Sequence, residues 1–438
     1  MKKELLWLLV FSIIIKTGSA QDTLALKLQD ALDATLRSNT EILLATLDQE
    51  KAAARFNQTN AVFLPQINLS YTAMVTNNPL NAFGFKLQQQ SITPSDFNPQ
   101  VLNNPSATQN YMTKAEFNQP LVNLDMIYQR KAAGQQIDVY AYKTKRTKEY
   151  LAFEVQKAYA QLQLSHQAVI VLTEAQRTVN SIFEATKNRF EKGFLQKSDV
   201  LLVQVQVATI ENNLAEAKSN VRNASDYISL LMGSKSRPLY SVEPLSKVDQ
   251  ADKIESKVPE NRADFKAIES ALSAQEMMIH SGKMSYLPKL NAFGNYMFND
   301  KQAFGFGSNA YLLGAQFSWN LFSGTSQHYK VAEQKIEHSR IEKQLSYQKE
   351  QSLLELNKMF RQLQDTEFAL QQHEVSVNQA SEALRILQNR FEQGLVSTND
   401  LLQSQTTLSE QKLRQTETLF KYQTTLAYIQ FLTTTSEK

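Results

Sequence analysis

Asn188-Arg189-Phe190-Glu191-Lys192-Gly193 and Asn389-Arg390-Phe391-Glu392-Gln393-Gly394 are nearly the same hexapeptide, 201 residues apart. Six residues past each glycine stands an aspartate, Asp199 or Asp400, and a leucine-rich run follows. Matches at several fixed offsets mean that the chain is built from two copies of one unit, and a repeat of this kind decides the fold before any single element does. Working outward, Phe63-Leu64-Pro65-Gln66-Ile67-Asn68 matches Tyr286-Leu287-Pro288-Lys289-Leu290-Asn291, and Ala115–Leu121 matches Ala315–Leu321. Each half therefore reads as helix, Leu-Pro, strand, loop, strand, very long helix, glycine turn and helix.

The ten prolines all lie outside 121–237 and outside everything after Pro288. Proline inside a helix costs ~3 kcal/mol, so these two stretches are free to be helical. Val203, Val207, Ile210, Leu214, Ala217, Val221, Ala224, Ile228 and Leu231 alternate steps of four and three, a heptad seam. Gly193 and Gly394 sit where a helix has to stop, because glycine takes the left-handed conformation at little cost. Ser198-Asp199 and Thr398-Asn399-Asp400 then offer oxygens to the unpaired amides of the next helix. Arg189 and Arg390 suit the C-terminal end of the helix that carries them. A continuous helix from about Asn123 to Phe190 would be ~100 Å long at 1.5 Å per residue, too long for an ordinary globular domain.

Ile67, Leu69, Tyr71, Ala73 and Val75 alternate with Asn68, Ser70, Thr72, Met74 and Thr76, and Leu313, Ala315, Phe317, Trp319 and Leu321 with Leu312, Gly314, Gln316, Ser318 and Asn320, with weaker alternations through Tyr111–Leu121 and Leu290–Phe298. Segments of ~10 residues that face lipid on one side and water on the other fit transmembrane barrel strands. A soluble sheet packed on one face by helices gives the same alternation. Four strands cannot close a barrel, and an open edge in lipid costs several kcal/mol per unpaired backbone group, so a barrel requires several chains. The 77–110 stretch, with four prolines and many Asn, Gln and Ser, reads as a surface loop; the 299–309 loop, containing Phe304-Gly305-Phe306-Gly307, reads as flexible or folded over the mouth.

Lys2 and Lys3, the apolar run Leu5–Ile15 and Gly18-Ser19-Ala20 have the form of a secretory leader over 1–20. The chain has no cysteine, so neither disulfides nor a cysteine for lipid attachment are expected. With 46 basic and 43 acidic residues and no polybasic tract, nucleic acid is not an expected partner. His166, His280, His328, His338 and His373 lack ligand spacing and read as solvated helix positions, so no metal and no cofactor are expected. No phosphate loop, nucleophile elbow or recurring carboxylate–histidine set appears, and the chain reads as a non-enzyme.

The Leu-Pro before each odd strand, the two Arg-Phe-x-x-Gly-x5-Asp-[Val/Leu]-Leu turns and the duplication together resemble the outer-membrane efflux proteins, the TolC-like exit ducts of tripartite efflux pumps and type I secretion systems. The resemblance covers essentially all of the chain after the leader. It implies a mixed α and membrane-β fold: a homotrimer whose chains each lend four strands to a twelve-stranded outer-membrane barrel, continued by a periplasmic α-helical barrel. It further implies a first repeat over 21–232 (strands near 65–77 and 110–121, helices near 123–190 and 198–232), an equatorial linker over 233–259, and a second repeat over 260–438 (strands near 288–299 and 309–321, helices near 324–392 and 398–434). Pro65 and Pro288 would mark the barrel entry. Arg189, Phe190, Gly193, Asp199, Arg390, Phe391, Gly394 and Asp400 would form the periplasmic tip, which gates the tunnel and meets a periplasmic adaptor protein, with an inner-membrane transporter of RND, ABC or MFS type supplying the energy and outer-membrane lipid around the barrel. Some members tie the first-turn aspartate to a Tyr and an Arg of the second turn; Phe391 and Val396 stand at those positions here, and Gln403 stands where some members have a second acidic residue. The competing reading is a periplasmic coiled-coil scaffold without a pore.

Overall fold

The computed structural model describes residues 23–247 and 257–435; the stretch read as a leader over 1–20, residues 21–22, residues 248–256 of the stretch read as a linker, and the last three residues lie outside it. In chain order the elements are β1 (Thr23–Ala25), α1 (Leu28–Ser38), α2 (Thr40–Gln58), β2 (Gln66–Thr76), α3 (Pro79–Gln88), α4 (Pro99–Asn103), β3 (Thr108–Val122), α5 (Leu124–Glu191), α6 (Lys197–Leu231), β4 (Leu239–Ser241), α7 (Ala263–Met284), β5 (Lys289–Asp300), β6 (Ser308–Ser318), α8 (Ser326–Glu392) and α9 (Thr398–Thr433). Single 3-10 turns lie at Thr59–Val62 and Pro94–Phe97. Two compact units result, one of Thr46–Lys143 with Asp264–Tyr347, the other of the remaining described residues.

The first unit is organised by an antiparallel sheet in the order β2-β3-β5-β6, so β2 and β6 are open edges. Side chains alternate faces along a strand, so the pairing register decides which residues share a face. Ile67 pairs with Phe117, Leu69 with Ala115 and Tyr71 with Thr113. Ala115 continues to Tyr296 and Phe117 to Gly294, and these pair with Tyr311 and Leu313. These residues of all four strands thus merge into one largely apolar face. The other face carries Asn68, Ser70, Thr72, Lys114, Glu116, Asn118, Asn291, Asn295 and Gln316 in register, with Lys114 and Glu116 ion-paired to each other.

The apolar face is bare. Ile67 is 76%, Leu69 72%, Leu313 65% and Phe317 66% exposed, which is opposite to the helix-covered sheet of a soluble scaffold. Glycine is required at two close approaches: a Cβ on Gly294 would stand 2.2 Å from the Phe117 ring, and one on Gly314 would stand 2.8 Å from the Phe293 ring. At the helix-proximal end of the sheet, Lys289 Nζ meets Asp125 Oδ2 at 2.6 Å and Asn123 donates to Asn291 Oδ1 at 2.8 Å. Among the described residues no helix is long and apolar enough to cross a membrane.

The loops at the far end depart from the sequence reading. The 77–110 stretch is not a bare loop but holds α3, a 3-10 turn and α4, because Asn78-Pro79, Thr93-Pro94 and Asn98-Pro99 each place a capping residue before a proline in the first turn. The 301–307 turn is ordered by Asp300, which accepts from the amides of Gln302 and Gly307, both at 2.9 Å. Phe304 stacks on Tyr71, a member of the apolar face, with ring centroids 5.0 Å apart; this turn therefore leans away from the polar face.

In the second unit the heptad seam of α6 is buried as its spacing requires, with Val203 and Ile228 at 0% exposure. One core joins β1, α1, α5, α6 and β4 through Leu26, Leu151, Val155, Leu162, Ile228 and Tyr240. A short parallel pair, β1 with β4, has no counterpart in the sequence reading. Its strands are anchored from the side: Tyr159 donates to the Leu26 carbonyl at 3.0 Å and the Tyr240 amide donates to Ser225 Oγ at 3.3 Å. His166, read as solvated, is half-buried with Nε2 2.8 Å from the Tyr240 carbonyl.

Candidate functional site: the paired helix turns

Both turns close in the same way. Gly193 and Gly394 have φ of +80° and +77°, and nothing lies within 4 Å of where their Cβ atoms would be. Backbone conformation, and not space, demands glycine here. The amide of Gly193 donates to the Phe190 carbonyl and that of Phe194 to the Arg189 carbonyl, both at 2.9 Å. Gly394 to Phe391 and Leu395 to Arg390 repeat the pattern at 2.9 Å. This double hydrogen bond across a left-handed residue is the Schellman closure, which satisfies the last carbonyls of α5 and α8.

The aspartates open the next helices. The Gln196 amide donates to Asp199 Oδ2 at 2.9 Å. In the second turn the cap is reciprocal: Ser397 N and Oγ donate to Asp400 Oδ2 at 3.2 and 2.7 Å, and the Asp400 amide donates back to Ser397 Oγ at 3.2 Å. Those bonds, led by the hydroxyl of Ser397, hold the Asp400 carboxyl below the usual aspartate range.

The two turns are not equivalent. Arg189 does not serve its own helix end; Nη2 donates to the Glu392 carbonyl at 2.8 Å and the guanidinium lies 4.4 Å over the Phe391 ring. One residue of the first turn thus closes the C-terminus of α8 and covers its aromatic. Phe391 is buried at 3% exposure, whereas its counterpart Phe190 is 39% exposed, and Arg390 is exposed. Behind the turns a single core holds all four helix ends through Val179, Ile182, Val203, Leu384, Phe391 and Leu401, and Val396 packs against it. Further bonds tie the two hairpins together, Lys412 Nζ to Glu174 Oε2 at 2.7 Å and Gln206 to Thr406 at 3.1 Å. Beside the clasp runs a groove of ≈ 420 Å³ lined by Arg177, Ser181, Gln388, Phe391 and Leu401. Pro65 is exposed and Pro288 half-buried, each immediately before its strand. Among the described residues there is no cluster of three or more His, Cys, Asp or Glu that could hold a metal.

A family model described as outer membrane efflux protein matches residues 31–234 and 256–434. The chain belongs to the outer membrane efflux protein family. The family makes it an efflux channel of the Gram-negative outer membrane and a transport protein. Solved structures share the fold at low identity. CusC matches with TM-score 0.77 and 14% identity over 97% of this chain and 96% of its own. The CmeC outer membrane channel of Campylobacter jejuni matches with TM-score 0.76 and 16% identity over 94% and 87%. VceC of Vibrio cholerae matches with TM-score 0.73 and 15% identity over 94% and 97%. No curated protein sequence matches. The clasp made by Arg189 was not legible in this efflux protein's sequence, where the two arginines look interchangeable.

Proposed function

We propose that the chain is the outer-membrane exit duct of a tripartite efflux pump or type I secretion system, passively conducting cargo once its periplasmic tip opens. The observation that carries this reading is the sided sheet with two open edges. Its apolar run from Ile67 to Val75 covers ~27 Å along the strand and ~20 Å once tilted by ~40°, close to the ~25 Å apolar band of outer-membrane barrels. Four strands per chain make a closed barrel only when copies share it, and three copies give the twelve strands expected of a water-filled bore. The duplicated halves, each with its strand pair and helical hairpin, build barrel and tunnel alike, and the linker over 233–259 lies between them.

The tip is the regulated part. Arg189 clasps the second turn to the first, so opening requires the hairpins to part there and at Glu174–Lys412 and Gln206–Thr406. An adaptor protein in the periplasm and an inner-membrane transporter are the partners that would supply that work. The cargo is left to the transporter, because a wide bore selects weakly.

Purified protein in planar bilayers tests the reading directly. The wild type is expected to show a small conductance as an oligomer, and a protein that runs as a stable monomer in plain buffer overturns it. In cells, Gly193→Pro or Gly394→Pro is expected to abolish export while trimers still form; export at wild-type level would remove the tip from the mechanism.

A further inference from the structure

The segment between β2 and β3 settles on the polar face of the sheet, at the end remote from the long helices. α3 touches both β3 and β6, which are separated by β5, so it lies across the sheet. Its end is tethered at several points. Ser308 Oγ donates to the Gln88 carbonyl at 2.5 Å, and Gln89 Nε2 donates to the Gln109 carbonyl at 2.7 Å and to Asn110 Oδ1 at 3.0 Å. Beneath it, Asn110 donates to Asn299 Oδ1 at 3.0 Å. Asn110, Asn299 and Ser308 share the polar face by register and are 0%, 1% and 2% exposed. Polar side chains on a water-facing wall are hidden this completely only where something rests on them.

The segment also has the internal order of a rigid body. Ala82 is 1% exposed and Phe83 meets Phe97 edge-on at 5.7 Å. Lys86 Nζ binds Asp96 Oδ1 at 2.6 Å, while Asp96 Oδ2 accepts from the Thr93 amide and hydroxyl at 2.8 and 2.9 Å.

We propose that residues 79–105 form a cap that narrows the outer mouth of the pore, a constriction separate from the periplasmic tip. This rests on the barrel reading above, with the polar face turned to the bore. Twelve strands ~4.8 Å apart and tilted ~40° enclose a ring roughly 24 Å across between backbones. A helix with its side chains is ~10 Å thick, so three of them seated inside the rim take up most of that width. The second loop cannot do this, since Phe304 turns to the apolar face.

The absence of cysteine permits a clean test. Leu312 and Leu313 are neighbours on β6 facing opposite sides, polar and apolar respectively. Leu312→Cys is labelled in intact cells with a small maleimide and with one carrying a bulky polymer. The small reagent is expected to react and the bulky one to lag. Removing the tethers (Gln89→Ala with Ser308→Ala), or replacing 79–103 by a Gly/Ser linker, is expected to speed the bulky reagent about tenfold or more, the shift that loss of one net hydrogen bond permits. Fast bulky labelling with the cap intact, or no gain from either change in a protein still running as an oligomer, overturns the cap. Leu313→Cys separates the two failures: equal labelling there by water-soluble reagent sinks the barrel reading itself.

Discussion

At the residue scale the two hexapeptides are alike in sequence and different in task. Gly193 and Gly394 are held in the left-handed region with open space around them, so substitution cost is backbone strain alone. Gly394→Ala should lower stability by about 1–2 kcal/mol and Gly394→Asn by less, read as melting temperature in detergent; equal effects would mean the residue is chosen for space. Arg189 holds its guanidinium carbon 4.4 Å over the Phe391 ring and grips Glu392 through Nη2. Arg189→Lys keeps the charge but loses the stacking plane, so it should raise bilayer conductance nearly as much as Arg189→Ala; a lysine variant as quiet as the wild type would make the contact purely coulombic. The glycines and aspartates were legible in the sequence because a helix stop and an N-cap are local events. The clasp was not, because Arg189 and Arg390 have identical neighbours and only packing of the hairpins decides which one reaches across.

At the scale of elements, capping and sheet sidedness govern what changes are tolerated. Proton-linked behaviour of the 79–105 segment and of the second helix turn follows from one carboxyl in each. Asp96 is lowered from 3.8 to about 2, first by Lys86 and then by Thr93, and Asp400 is lowered by Ser397. A carboxyl depressed in the folded state contributes fully above its unfolded value and loses that contribution as pH falls through the folded one. Protection of 79–105 against protease should therefore hold at pH 5 and fail between about 4 and 2, and Asp96→Asn should remove it at neutral pH; a cap equally protected in both proteins would deny Asp96 its role. On the sheet, Leu69→Arg should cost about 2–4 kcal/mol and reduce assembled protein in the outer membrane, whereas Asn68→Arg should be accepted. Equal loss from both would mean the two faces meet the same solvent. The strands and the α6 seam were readable because a period of two or a heptad survives without tertiary knowledge. The cap was missed because its prolines suggest loop by composition, while Asn78-Pro79, Thr93-Pro94 and Asn98-Pro99 are helix starts when read in order. The β1–β4 pair, three residues a side, is too short to carry any periodic signal.

At the scale of the whole molecule, what a single chain leaves unfinished defines what it is for. Ile67, Leu69, Leu313 and Phe317 on the apolar face are exposed, and in the proposed barrel this face is the one that meets lipid. Native mass measurement in detergent should give three copies, and a monomer or dimer as the conducting species would require a different barrel. The open margins of β2 and β6 also dictate the order of events at birth. In the proposed barrel, amide and carbonyl groups along those two strands find no solvent once surrounded by acyl chains, so subunits would not enter the bilayer one after another and search for each other there. On that reading their margins zip together in water or on an insertion machine, and lipid closes around a ring that is already complete.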